Sequence, residues 1–208
     1  MTKISKTKKA LEKNGFDVYQ VENKEKAKEI FFNDILPEIN PKTVSYGDSM
    51  SAESTGILEK LKKIENIKFI EPFDEEETRK EQIQASKDAL QGDLFIAGSN
   101  AVTKTGLLVN LDMVGNRIAG ITFGPRKVVL IIGKNKITKD LENAMERVKK
   151  IAPKNAARYP DLNLPCQKTG KCMDCSSPNR ICNSWLITEK SYPKGRIKII
   201  LVEEDLGL

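Results

Sequence analysis

Short runs rich in apolar and β-branched residues alternate with longer helical stretches through the first half of the chain, and this rhythm restricts the fold more than any other feature. Residues 2–14 read as a lysine-rich helix with Ile4 and Leu11 on one face, ended by Gly15. Phe16 to Val21 alternates as a strand does. Asn23 caps a second helix that runs to Leu36, and Pro37 closes it. Thr43–Tyr46, Ile67–Ile70 and Asp93–Ala97 read as further strands. Helices separate them, one ending near Lys63 and one opened by the acidic run Asp74–Glu77 and reaching Leu90. Such alternation builds a largely parallel sheet covered on both faces. Farther on, Leu107–Leu111, Ile118–Thr122 and Lys127–Ile132 read as strands, then a helix from Thr138 to Ile151, then strands at 184–188 and 196–202. These later strands suggest antiparallel additions, so the expected architecture is α/β with a mixed, mostly parallel sheet.

A length of 208 residues suits one domain, taken as 1–208, with a cysteine-rich loop at 160–183. No apolar run approaches the ~20 residues of a membrane span, and no apolar core follows the lysines of the N-terminus, so the expected location is the cytoplasm. The net charge of +6 is spread among mixed charges, and aromatic content is 6%, which argues against a nucleic-acid partner and suits an anionic small molecule. Histidine is absent. Acid–base chemistry must therefore use Asp, Glu, Lys, Tyr or Cys, and a transition metal must be held by thiolate or carboxylate.

The cysteines are Cys166, Cys172, Cys175 and Cys182, spaced C-x5-C-x2-C-x6-C. Four clustered thiols in a chain expected in the cytoplasm point to metal before disulfide. The C-x2-C pair can grip one ion with both sulfurs, and Gly170 and Pro178 let the flanking loops bend back. Zinc and an iron–sulfur cluster both suit four thiolates, and the spacing does not choose between them. Lys168, Lys171 and Arg180 lie between the cysteines and offset their charge.

In an open α/β sheet, ligands bind beyond the carboxyl ends of the strands. Gly47, Asp48, Ser49 and Ser51 form a turn before a helix, and Gly98, Ser99 and Asn100 follow a buried strand. Thr103, Lys104, Gly106 and Arg126 lie in nearby polar turns, and Gly133-Lys134-Asn135 forms another. Together they suggest a cleft for phosphate or carboxylate. None matches a P-loop or a dinucleotide fingerprint, so no nucleotide cofactor is expected. Asp48, Glu53 and Asp112 are the nearest candidate acid–base groups, and Lys104 a candidate electrophile.

The stretch from Gly98 to Asp112 resembles the LUD (lactate-utilization) domain family, as do Gly115-Asn-Arg117, Phe123-Gly-Pro125 and Val129 to Ile137. The resemblance continues through Asp140-Leu-Glu, Ala152-Pro-Lys-Asn155 and Glu204 to Leu208, and the cysteine segment is similar to that of one subset of the family. It implies a three-layer αβα sandwich similar to ribose-5-phosphate isomerases and CoA transferases. It also implies a role in lactate oxidation beside iron–sulfur oxidoreductase subunits. Where the family pattern has an acidic residue before Gly106, this chain carries Lys104-Thr105. Two kinds of function follow. One is an accessory or electron-transfer component of 2-hydroxy-acid (lactate) oxidation. The other is an enzyme or binding module for a phosphorylated sugar or acyl-CoA, with structural zinc. The sequence leaves open whether the chain forms an oligomer and whether it is catalytic by itself.

Overall fold

The computed structural model describes residues 2–208; Met1, the first residue of the expected domain, lies outside the described residues. Six parallel strands form the main sheet in the order β1-β10-β7-β4-β2-β3. They are β1 (Asp17–Val21), β2 (Thr43–Tyr46), β3 (Lys68–Ile70), β4 (Leu94–Ala97), β7 (Lys127–Gly133) and β10 (Ile197–Val202). A second sheet, in the order β8-β5-β6-β9, joins β5 (Ala101–Thr103), β6 (Leu108–Asp112), β8 (Ile137–Thr138) and β9 (Ser184–Thr188). Among the described residues, all the antiparallel pairings lie in this smaller sheet, between β5 and β6 and between β6 and β9. Two of the strands expected to be antiparallel, 127–132 and 196–202, are instead β7 and β10, which pair parallel with each other and with β4 and β1 in the main sheet.

Side-chain alternation explains the three layers. Val128, Leu130 and Ile132 of β7 point to one face, and Val129 and Ile131 to the other. Both faces need cover, which is why Val128–Ile132 of β7 reads as an unbroken apolar run and β10 is interrupted by Lys198 alone. The first face packs against α1 (Lys3–Lys13) through Ile4 and Leu11, and also meets Ala89 and Ile121. On the opposite face lie α2 (Lys24–Ile30), the π-helical turn Phe31–Ile35, α3 (Leu36–Ile39), α4 (Met50–Glu53) and α5 (Ile57–Leu61). The chain is thus a three-layer αβα sandwich with mostly parallel strands. Among the described residues, no helix is long and apolar enough to cross a membrane.

Further helices surround the carboxyl ends of the strands. Thr78 and Glu81 make a reciprocal capping box for α6 (Arg79–Ala89). That cap starts the helix later than expected, and the acidic run forms a turn in which Asp74 accepts from the Glu76 N–H at 3.0 Å. The expected strand at 118–122 is instead helical, within α7 (Asn116–Thr122). Gly115 turns the chain at φ 91°, and a Cβ on Gly120 would lie 2.7 Å from the Phe95 ring, so the helix packs at close range. A short apolar run does not reveal its period, and here the turn decides it. Finally, α8 (Leu141–Ala156) lays Ala144 and Val148 on Ala101, Val109 and Leu111 of the second sheet. The short α9 (Pro165–Thr169) follows and opens the cysteine loop.

Candidate functional site: an anion cavity beside four cysteines

A cavity of about 790 Å³ opens beyond the carboxyl ends of β2, β4 and β7. Its floor is made by the turns after those strands, represented by Ser49, Gly98 and Lys136. Its walls come from α6, α7 and α8. Six cationic side chains line it against three carboxylates, so it favours an anion. Two of the cations are already matched. Arg117 lies against Asp112 at 3.4 Å and donates to the Asn110 and Asn100 side-chain oxygens, each at 3.0 Å. Arg158 is paired with Asp48 at 2.6 Å.

Lys136 and Arg147 have no such match. Arg147 donates to the Asn135 carbonyl at 3.0 Å and to the Asn100 carbonyl at 2.7 Å, so it ties two floor turns together from above. Lys136, only 6% exposed, donates to the Ser51 hydroxyl at 2.7 Å. Among the described residues, neither has a carboxylate at ion-pair distance. Burial, and then the positive charges of Arg147 and Arg117, pull the Lys136 ammonium down to about 7. A lysine in that state holds a proton or an accessible lone pair near neutrality. Asp112 also keeps one buried carboxylate oxygen, Oδ2, without a hydrogen-bond partner.

The cysteine loop closes one side of the cavity. Cys166, Cys172, Cys175 and Cys182 all line a second, smaller cavity of about 20 Å³. Gly170, at φ 67°, ends α9 with a left-handed turn, and Asp174, at φ 47°, turns the chain inside the C-x2-C pair. Arg180 staples the loop. It donates to the Cys182 carbonyl at 2.8 Å, the Cys175 carbonyl at 2.6 Å and the Asp174 carboxylate at 2.7 Å. Lys149 of α8 meets the same carboxylate at 2.8 Å. Burial and then the neighbouring thiols push the Cys166 and Cys182 thiols up. No three His, Cys, Asp or Glu side chains among the described residues stand at metal-ligand spacing, so the thiols surround a common space without being drawn in to ligand distance. Ala152, Ile181 and Cys182 line both cavities.

The family model of the LUD domain matches residues 4–202. This chain belongs to the LUD domain family. The fold of this LUD domain is similar to the crystal structure of a DUF162 family protein from Deinococcus radiodurans. That likeness has a TM-score of 0.53 at 13% identity and covers 97% of this chain and 99% of the other. No curated protein matches the sequence.

Within the LUD domain, the residues singled out from sequence fall into two groups. Asp48, Ser49, Gly98, Ser99, Asn100 and Asp112 line the anion cavity. Gly47 and Ser51 support it from just behind: a Cβ on Gly47 would lie 2.8 Å from the Arg117 Cγ, and Ser51 holds Lys136. The others stand apart. Arg126 precedes β7, at the opposite end of the strand, where it donates to the Ile39 carbonyl at 2.8 Å. Thr103, Lys104 and Gly106 belong to the β5–β6 hairpin, which packs on α1; the Asn14 amide donates to the Gly106 carbonyl at 3.0 Å. Glu53 is exposed at the end of α4. The reading from sequence missed Lys136, Arg147, Arg158 and Tyr159. One signal was available, since Arg147 lies three residues after Ala144 and directly before Val148 in the apolar stripe of α8. A cation placed there must be buried or reach over an edge.

Proposed function

We propose that this LUD domain is an accessory or electron-transfer component of 2-hydroxy-acid (lactate) oxidation. In this reading the large cavity receives the anionic acid, and Cys166, Cys172, Cys175 and Cys182 hold a thiolate-bound centre beside it. The observation that carries the reading is the shared wall of Ala152, Ile181 and Cys182 between the two cavities. A single layer of side chains would separate the acid from the centre. Lys136 and Arg147 supply the unmatched positive charge for the carboxylate. Oxidising a hydroxyl carbon to a carbonyl releases two electrons, as well as two protons, so the reading requires a redox partner, for which iron–sulfur oxidoreductase subunits in the cytoplasm are suited.

The donor set fits either candidate metal. A bound centre would supply tetrahedral cross-linking if it were zinc, or one-electron transfer if it were an iron–sulfur cluster. Arg180 and Lys149 sit where they offset thiolate charge in both cases.

A second reading draws on the size of the large cavity. A small 2-hydroxy acid fills only part of about 790 Å³, whereas a phosphorylated sugar or the end of an acyl-CoA fills more of it. In that reading the cysteines hold structural zinc.

Anaerobic purification followed by iron, zinc and sulfide analysis, on the wild type and on Cys172→Ser, tests the centre. Iron with matching sulfide, reducible by dithionite and lost in Cys172→Ser, is the outcome expected for electron transfer. One zinc per chain favours the second reading, and no metal after reconstitution overturns both versions of the centre. Calorimetric titration with lactate, a sugar phosphate and acetyl-CoA separates the ligands.

A further inference from the structure

The chemistry around Lys136 goes beyond holding an anion. The Ser51 hydroxyl donates its own hydrogen to the Leu206 carbonyl at 3.2 Å while accepting from Lys136 Nζ at 2.7 Å. Ser51 therefore has no proton left to give the amine, and the nitrogen lone pair is free when Lys136 is neutral. Gly98 leaves space next to that nitrogen. A Cβ on Gly98 would sit 3.7 Å from Lys136 Nζ and 2.7 Å from Ser49 Oγ. Arg147 crosses the same floor on its two carbonyl contacts. Arg147 and Lys136 thus line one cavity, the first with a cation suited to a carboxylate and the second with a nitrogen suited to a carbonyl carbon.

We propose that Lys136 is a nucleophile that forms an imine with the carbonyl of a 2-oxo acid held in this cavity. The proposal rests on the cavity being the anion site and deepens the functional reading, since a 2-oxo acid is the product of oxidising a 2-hydroxy acid. The neutral amine attacks the carbonyl carbon, and a C–N bond forms as the C=O π electrons move to oxygen. A proton passes from nitrogen to that oxygen to give a carbinolamine. The C–O bond then breaks as the hydroxyl takes up a second proton and leaves as water, while the nitrogen gives up its remaining proton and its electron pair closes the C=N bond. No oxidant or reductant is consumed. The lowered proton affinity of Lys136 supplies the neutral amine near pH 7. The charged groups that face it are Arg147 from α8 and Arg117 from α7, with Asp205 acting on Arg147.

The test is reductive trapping of the full-length protein with isotopically labelled pyruvate and sodium borohydride, read by intact mass and peptide mapping. Borohydride delivers hydride to the imine carbon and makes a stable secondary amine. One adduct per chain is expected, mapped to Lys136, absent in Lys136→Arg and unchanged in Lys104→Arg, which alters an exposed lysine. Trapping should rise with pH from 6 to 8. Arg147→Met should raise the half-saturating pyruvate concentration by about tenfold and move the rise of trapping to higher pH, because one of the charges that lower the proton affinity of Lys136 is removed. Circular dichroism and the melting temperature show whether each variant folds. Calorimetric pyruvate binding to the wild type, run in parallel, separates the two ideas. Binding without a Lys136 adduct overturns the imine and leaves the anion site standing, whereas neither binding nor trapping overturns both. An adduct scattered over surface lysines, or kept in Lys136→Arg, also overturns it.

Discussion

Arg158 lies across the carboxylate of Asp48, with its terminal nitrogens 2.6 and 3.0 Å from the two oxygens, and the Tyr159 hydroxyl donates to the same group. The pair ties the end of α8 to the turn after β2 and closes one side of the anion cavity. Against the cost of burial, the hydrogen bond to Asp48 holds the Arg158 guanidinium up. Burial and the same carboxylate push the Tyr159 phenol up to about 12.

Removing this charge should loosen the mouth of the cavity and free a cation. Asp48→Asn is expected to lower stability by about 1 kcal/mol, or about 2–4 °C in melting temperature. It should also tighten binding of inorganic phosphate severalfold, because Arg158 is no longer matched. Scanning calorimetry and titration at low salt check both.

Lys136 should make stability depend on pH in a distinctive window. Its folded value, about 7, lies below the ordinary 10.5, so the unfolded chain binds more protons between those values. The penalty of burying the ammonium is present in full below pH 7 and is relieved as the pH climbs to 10.5. Lys136→Met is therefore expected to gain on the order of a few kcal/mol over the wild type at pH 6. That advantage should shrink steadily towards pH 10. Urea unfolding across pH 6–10 in phosphate-free buffer measures it, and an advantage that grew with pH would contradict the burial of a charge.

Gly98 keeps the cavity floor open. Gly98→Ala places a methyl group 2.7 Å from Ser49 Oγ, so the hydroxyl must move. The expected result is roughly tenfold weaker anion binding, equivalent to about 1.4 kcal/mol. Titration with lactate or phosphate should detect it.

Leu130 is fully buried in β7, between β10 and β4. Leu130→Ala should cost about 2–5 kcal/mol from lost burial and the cavity left behind. Chemical denaturation should show a lower midpoint with an unchanged slope.

The fold was largely legible in the chain because apolar patterning is local. The runs that became β1, β2, β3, β4, β7 and β10 could be read as strands, and the helices between the first four pointed to parallel pairing, whereas β7 and β10 were expected to be antiparallel and pair parallel instead. The stretch 118–122 could not be read the same way. Ile118, Ala119 and Ile121 fit either period over so short a run, and the turn at Gly115 together with the Phe95 ring beside Gly120 chose the helix. Of the polar turns, those after β2 and β4 line the cavity because they leave the carboxyl ends of adjacent strands. Arg126 looked equally suitable as a glycine-flanked cation, but it enters β7 instead of leaving it.

By itself, the amino-acid order determined where the strands of the main sheet lie, that histidine chemistry is absent, and that four thiols crowd one short segment. Only the tertiary structure decided which charges remain unmatched. Asp48 and Asp112 could be named as candidate acids from the chain, yet their pairing with Arg158 and Arg117 depends on elements far apart in sequence or on the turn at Gly115. The same holds for Lys136. Its neighbours Ser51, Gly98 and Arg147 meet only after the sheet has formed, and electrostatic energy depends on distance and burial in space, which spacing along the chain does not encode.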